Sequence, residues 1–187
     1  MIGSSLLERR GEAFYNTFTL YGPGGELRAC YRKIHLFRLL KEERWLAAGD
    51  RLTLQTLPWG KTGLSICYDL RFPEMYRAYA VGGARLVLLV AEWPQKRIVH
   101  WRQLLKARAI ENQYFLAAVN KVGSSQGAKL GGHSALLNPM GERVIEGGGE
   151  EVLLTATIDL NQVEQVRDWM PVLDDRAPDA YRWEESA

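Results

Sequence analysis

The sequence predicts an α/β layered domain, and two observations predict it. The first is a hairpin: residues 14–21 and 26–35 are β-rich runs on either side of Gly22-Pro23-Gly24-Gly25. The second is an alternation of apolar strand runs with helical periodicity, strand at 62–67, helix at 74–81, strand at 85–91, helix at 98–112 and strand at 114–120. Strands of the first kind pair with their sequence neighbours; strands of the second kind reach each other through helices. A chain with both builds mixed sheets with helices on their faces. The pattern alone does not tell three layers from four.

Taken in order, residues 2–5 read as the tail of a strand and 8–12 as a polar loop. Within 14–21, Phe14, Asn16, Phe18 and Leu20 share one face while Tyr15, Thr17, Thr19 and Tyr21 share the other. Lys33 falls at the end of the returning strand, and its neighbours Ile34, Leu36 and Phe37 point to a pocket rather than to open solvent. Residues 38–50 form a loop or short helix closed by Gly49-Asp50, 52–57 a strand, 58–61 a turn, and 62–67 a strand that ends in Cys67. Pro73 suits a first helical turn, where its missing N–H costs nothing, and Glu74 suits the positive end of the helix dipole. Gly82-Gly83 closes that helix.

Residues 85–91 are an unbroken apolar run between turn signals, as in a strand buried on both faces, and Glu92-Trp93-Pro94 follows at its end. In 98–112, Ile98, Trp101, Leu105 and Arg108, with Leu104 and Ile110 beside them, give a broad apolar side. A strand at 114–120 and a glycine- and serine-rich loop at 123–132 come next. A hairpin then pairs 134–137 with 143–146 across Asn138-Pro139-Met140-Gly141. The reading ends with a strand at 152–159, a helix at 161–169 capped by Asp159 or Asn161, and a polar tail after Pro171. There is no repeat and no composition break, so residues 1–187 read as one domain.

Composition removes several classes of function. A formal net charge of +2 without a basic stripe argues against a nucleic-acid partner. Two cysteines, Cys30 and Cys67, make no disulfide framework and point to a reducing cytoplasm. No apolar run approaches the roughly 20 residues of a membrane span, and Met1-Ile2-Gly3-Ser4-Ser5 is no signal peptide. His35, His100 and His133 lack metal-ligand spacing, so neither a metal nor a cofactor is expected.

The chemistry concentrates in 62–74. Cys67 ends a strand and faces the start of a helix, where backbone amides and the dipole favour a thiolate. Upstream lie Tyr31-Arg32-Lys33-Ile34-His35-Leu36-Phe37 and the acidic pair Glu42-Glu43. Together with Ala107-Arg108-Ala109-Ile110-Glu111-Asn112, with Gly132-His133-Ser134, and with Asn138-Pro139-Met140-Gly141-Glu142, these stretches resemble the nitrilase, or carbon–nitrogen hydrolase, superfamily along nearly the whole chain. The stretch Cys67-Tyr68-Asp69-Leu70-Arg71-Phe72-Pro73-Glu74 is similar to its omega-amidase-like branch.

That resemblance implies a four-layer α-β-β-α sandwich and a Glu–Lys–Cys triad in which Lys33 and Cys67 supply the lysine and the cysteine. The triad glutamate would stand in a strand–helix–helix–strand section ahead of Lys33 that these 187 residues do not contain, so the fold is expected to be N-terminally incomplete. It implies Glu42, rather than Glu43, as a second active-site carboxylate holding Lys33, and the amide of Tyr68 as an oxyanion donor. Arg71 would bind a substrate carboxylate or brace a dimer interface; Glu92 and Trp93 would line the pocket. Glu111 would pair with a nearby arginine, and Asn120 would steady a strand end. The implied activity is a thiol amidase releasing ammonia from a small, carboxylate-bearing amide. A nitrilase, an N-carbamoyl hydrolase, or an inactive scaffold or dimerisation partner are the alternatives. Aromatic residues Tyr76, Tyr79, Trp169, Tyr181 and Trp183, read as surface, and the resemblance both suggest a homodimer or a larger even-numbered assembly.

Overall fold

The computed structural model describes residues 1–183. Strands β1 (Ile2–Arg10), β2 (Ala13–Tyr21) and β3 (Leu27–Arg32) form an antiparallel sheet in sequence order. Then come β4 (Leu54–Leu57), β5 (Gly60–Ile66), helix α1 (Pro73–Val81), β6 (Leu86–Ala91), helix α2 (Ile98–Asn112) and β7 (Phe115–Asn120). A short ribbon of β8 (Ser124–Ser125) and β9 (Ala128–Lys129) precedes β10 (Ala135–Leu137), β11 (Arg143–Glu146) and helix α3 (Asn161–Trp169). The second sheet has the order β11-β10-β7-β6-β5-β4, with β5, β6 and β7 parallel and the other neighbours antiparallel. Helices α1 and α2 are the crossovers that parallel pairing demands.

Register decides what each face of this sheet carries. Gly63, Val87, Leu116 and Leu137 are level with one another, as are Ser65, Leu89, Ala118 and Ala135. All are buried, and they face the helices: Tyr76 donates to Ser65 Oγ at 3.0 Å, and Tyr79 donates to the carbonyl of Leu64. The approach of α1 explains Gly63, because a methyl group there would sit 2.8 Å from the Tyr79 ring. Gly63→Ala is therefore expected to cost roughly 1–3 kcal/mol of stability through overpacking, more than the stiffer backbone returns. Urea unfolding measures it; an unchanged midpoint would refute the packing account.

The opposite face is covered unevenly. Leu64 and Ile66 join one core cluster with Leu57 and with Phe18, Leu20, Ala29 and Tyr31 of the three-stranded sheet. Leu88, Val90, Ala117 and Leu136 stay half-buried, and Val119 is 61% exposed. Helix α3 closes the amino ends of β6 and β7. Val163 packs with Leu86 and Phe115, Arg85 holds Glu164 at 2.7 Å, and Arg167 donates to the carbonyl of Ala84. The other ends of these parallel strands, their carboxyl ends, are the ends at which sheets of this kind bind ligands. Among the described residues, helix layer, six-stranded sheet and three-stranded sheet give three layers of the expected sandwich.

Several local expectations change. Residues 2–10 are one full strand, because β1 pairs with β2 without a break from Ile2 opposite Tyr21 to Arg10 opposite Ala13. The run at 152–159 forms no strand; β-propensity makes a strand only where a neighbour offers its ladder, and here Leu153 is 91% exposed. His133 lies just ahead of β10, outside the strand, with φ +54, and sets Nδ1 3.2 Å from Glu146. Tyr76 and Tyr79 are core residues, not surface, since both helices press their aromatic side onto the sheet. No helix of the described residues is long and apolar enough to cross a membrane.

Candidate active site

β5 runs extended through Ile66 and then reverses at Cys67, whose φ is +46. Cys67 begins a single 3-10 turn, Cys67–Arg71, before Pro73 opens α1. A side chain rarely adopts that left-handed backbone, and it persists only when its surroundings fix it. Here Asp69, fully buried, accepts the amide of Ile66 at 2.9 Å and the hydroxyl of Tyr31 at 2.8 Å on one oxygen. Its other oxygen takes the amide of His35 at 3.2 Å and lies 2.8 Å from His35 Nδ1. From the other side, Arg108 on α2 donates to the carbonyl of Leu70 at 3.1 Å and pairs with Glu111.

Lys33 follows β3 directly. Its backbone is pinned between Asn16 and Gly49, and its side chain is buried. Nζ lies 2.7 and 2.9 Å from the two oxygens of Glu42, which also accepts the amide of Phe37 at 2.8 Å. Glu42 opens a second 3-10 turn, Glu42–Arg44, positioned by the left-handed Lys41.

The cysteine feels both charges. Burial pushes the Cys67 thiol up from its ordinary 9.0; the Lys33 cation and the amide of Glu92 pull it back, while Glu42 and Asp69 add to the rise. The net direction is upward, contrary to the expectation from a helix terminus. One 3-10 turn carries little dipole, and the sulfur is enclosed. The resting site thus favours thiol.

The remaining predicted residues are placed as follows. The ring of Tyr68 packs against Phe37 and Phe72, with Phe72 stacked on His35 at 3.6 Å. Arg71 lies over the Trp93 ring at 4.9 Å and 3.1 Å from His100 Nδ1. Trp93 is itself buried and donates to the carbonyl of Arg97, so it forms wall rather than mouth. Glu92 differs from expectation: its carboxylate points away to Lys121 at 2.7 Å, which holds it below the usual range, and only its amide turns to the sulfur. Asn120 ties the ends of β6 and β7 by bonding Trp93 and Gly132.

Sequence reasoning passed over Asp69 as a site element, His35, and Arg97, which stands over the Phe37 ring at 5.4 Å. Neither Arg71 nor Arg97 has a carboxylate partner among the described residues; each lies instead on an aromatic face. The signal for Asp69 was an acid two residues after a strand-end cysteine; for Arg97 the sequence held none. A groove of about 370 Å³ lined by Val119, Ser134, Gly148 and Val152 lies elsewhere, on the open face of the six-stranded sheet. No cluster of three or more metal-ligating side chains occurs among the described residues.

A cysteine at the end of a strand in a mixed sheet, with a buried lysine and its glutamate partner close enough to act on it, defines an α/β domain built around one thiol. The sequence profile described as carbon-nitrogen hydrolase matches residues 1–168. The chain is 41% identical over 181 residues to the 2-oxoglutaramate amidase of Bacillus subtilis, covering 97% of this chain and 70% of that protein. With the 2-oxoglutaramate amidase of Paenarthrobacter nicotinovorans it shares 42% over 172 residues, 89% of this chain and 58% of that one. Among solved structures, the CN-hydrolase superfamily protein XC1258 from Xanthomonas campestris superposes with a TM-score of 0.88 at 33% identity, over 94% of this chain and 68% of its own. The chain belongs to the carbon–nitrogen hydrolase family, has its α/β fold, and is by that membership a hydrolase.

Proposed function

We propose that the chain carries the nucleophile of a thiol amidase, an enzyme that cleaves a small primary amide through a thioester on Cys67. The observation that carries this is Cys67 held in a reversed turn within the field of buried Lys33 and its partner Glu42. An amide carbon is a poor electrophile, so it needs a sulfur nucleophile, donors for the oxyanion, and a proton for the departing nitrogen. In this reading the thiol proton goes to a carboxylate base and the sulfur adds to the carbonyl carbon. The resulting oxyanion is held by the Tyr68 amide and the Lys33 ammonium. The C–N bond breaks as nitrogen takes a proton, ammonia leaves, and water then hydrolyses the thioester to the acid. Glu42 holds Lys33 in place, accepting from Nζ on both oxygens. The base proper is the glutamate that the resemblance sets ahead of Lys33, and it has no match in the 187 residues.

We assign the carboxylate end of the substrate to Arg71 and Arg97, the two cations of the site region resting on aromatic faces. The names of the 2-oxoglutaramate amidases support an amide that carries a carboxylate. A cytoplasmic location and an even-numbered homo-oligomer complete the proposal; exposed Trp169, Tyr181 and Trp183 favour the latter.

The test uses p-nitrophenyl esters. The chain should release one p-nitrophenolate per Cys67 in a burst, without sustained ammonia release from primary amides. Mono-p-nitrophenyl glutarate should acylate about 10-fold faster than p-nitrophenyl butyrate, a preference that Arg97→Ala erases. Absence of a burst refutes the thiol reading, and equal rates for the two esters refute the carboxylate assignment. Sustained turnover lost in Glu42→Gln would make Glu42 the base.

A further inference from the structure

We propose that Asp69 is the positioning residue for the nucleophile, holding Cys67 in its left-handed backbone through the turn rather than by touching substrate. The proposal rests on Cys67 being the nucleophile. Its motive is an electrostatic contradiction: the Asp69 carboxylate opposes a thiolate at Cys67, yet it stands two residues away, fully buried. What it contributes there is geometric.

The bonds show how. Each oxygen of Asp69 accepts a backbone amide, Ile66 on one and His35 on the other, and each has a side-chain partner as well, Tyr31 and His35 Nδ1. Ile66 is the residue before the nucleophile, while Tyr31 and His35 flank Lys33. One carboxylate therefore sets the cysteine turn and the lysine segment against each other. Arg108 fixes the far side of the same turn through Leu70. An amide side chain cannot substitute, because in either orientation its NH₂ meets a backbone N–H. Stacking of His35 on Phe72 locks the ring that completes the set.

Two reactions of the same sulfur separate positioning from general loosening. Acylation by p-nitrophenyl acetate needs the thiolate aligned with its oxyanion donors; alkylation by iodoacetamide needs only the thiolate. In Asp69→Asn, the acylation rate should fall about 10-fold or more while alkylation of Cys67, read by peptide mass, stays within about threefold. Both rates unchanged, or both falling together in a folded protein, would overturn the proposal and leave the thiol reading standing. If Asp69→Asn does not fold, Tyr31→Phe decides, since it removes one of the four bonds. Acylation should then drop about threefold to tenfold with alkylation unmoved, and an unmoved acylation rate overturns the proposal. A wild-type burst that survives Cys67→Ala would instead sink the thiol reading, and this proposal with it.

Discussion

Cys67→Ala should abolish acylation by activated esters, a loss of roughly 10⁴-fold or more, while the unfolding midpoint moves little. The small stability effect follows from the site: truncating one small side chain of a residue of intermediate exposure leaves a minor void in a turn held by Asp69 and Arg108. The pH dependence of the same thiol is a sharper check. Burial raises its pKa above 9.0, so the alkylation rate of Cys67 should still be climbing as pH passes 9. The sign carries over to stability. An acid whose folded pKa lies above its unfolded value contributes stability below the unfolded pKa and loses it as pH rises through the folded one. An alkylation midpoint below 8 would show that the Lys33 cation outweighs burial and that the resting site holds a thiolate.

Lys33→Met should be the most damaging change overall, because it strikes chemistry and stability together. Loss of the cation beside the oxyanion is expected to slow acylation about 10²–10³-fold. The change also strands Glu42, whose side chain is only 20% exposed, and breaking such a pair costs about 3 kcal/mol or more. The double variant Lys33→Met/Glu42→Gln separates the two effects. It should recover much of the lost stability, since no charge is left unpaired, and none of the lost acylation. Acylation by Lys33→Met within about fivefold of wild type would remove Lys33 from the oxyanion site.

The sequence was most informative where local chemistry and tertiary contacts agree. Pro73 opens α1 and Gly83, with φ +86, closes it as their backbone rules demand, and α2 spans the residues its apolar side marked. The same holds for the hairpin of β2 and β3, whose turn residues have few other uses. Legibility failed where an outcome depended on a distant partner. Nothing local separates 152–159, which pairs with no strand, from 2–10, which does; the difference is the presence of β2. Within the site, Lys33, Glu42 and Cys67 carried a family pattern, and their spacing in the chain could be matched. Arg97 could not be found that way, because its relation to Phe37 spans 60 positions and is made by folding. Glu92 illustrates the converse: its position beside the sulfur was readable, but the Lys121 that turns its carboxylate outward was not.

The clamp on the nucleophile turn also has a kinetic side. Tyr31 and Asp69 are 38 positions apart, His35 and Asp69 are 34, and Arg108 and Leu70 are 38. Each contact closes a long loop, and such closures come late because their chain entropy must be met before the contact forms. The β1–β2 ribbon and helix α2 depend on neighbours only a turn away. During refolding, secondary structure should therefore return in an early phase, with the reversed backbone at Cys67 completed only when the two sheets dock. Capacity to be acylated would be the last property the chain regains, which makes the ester burst a clock for the final step of its folding.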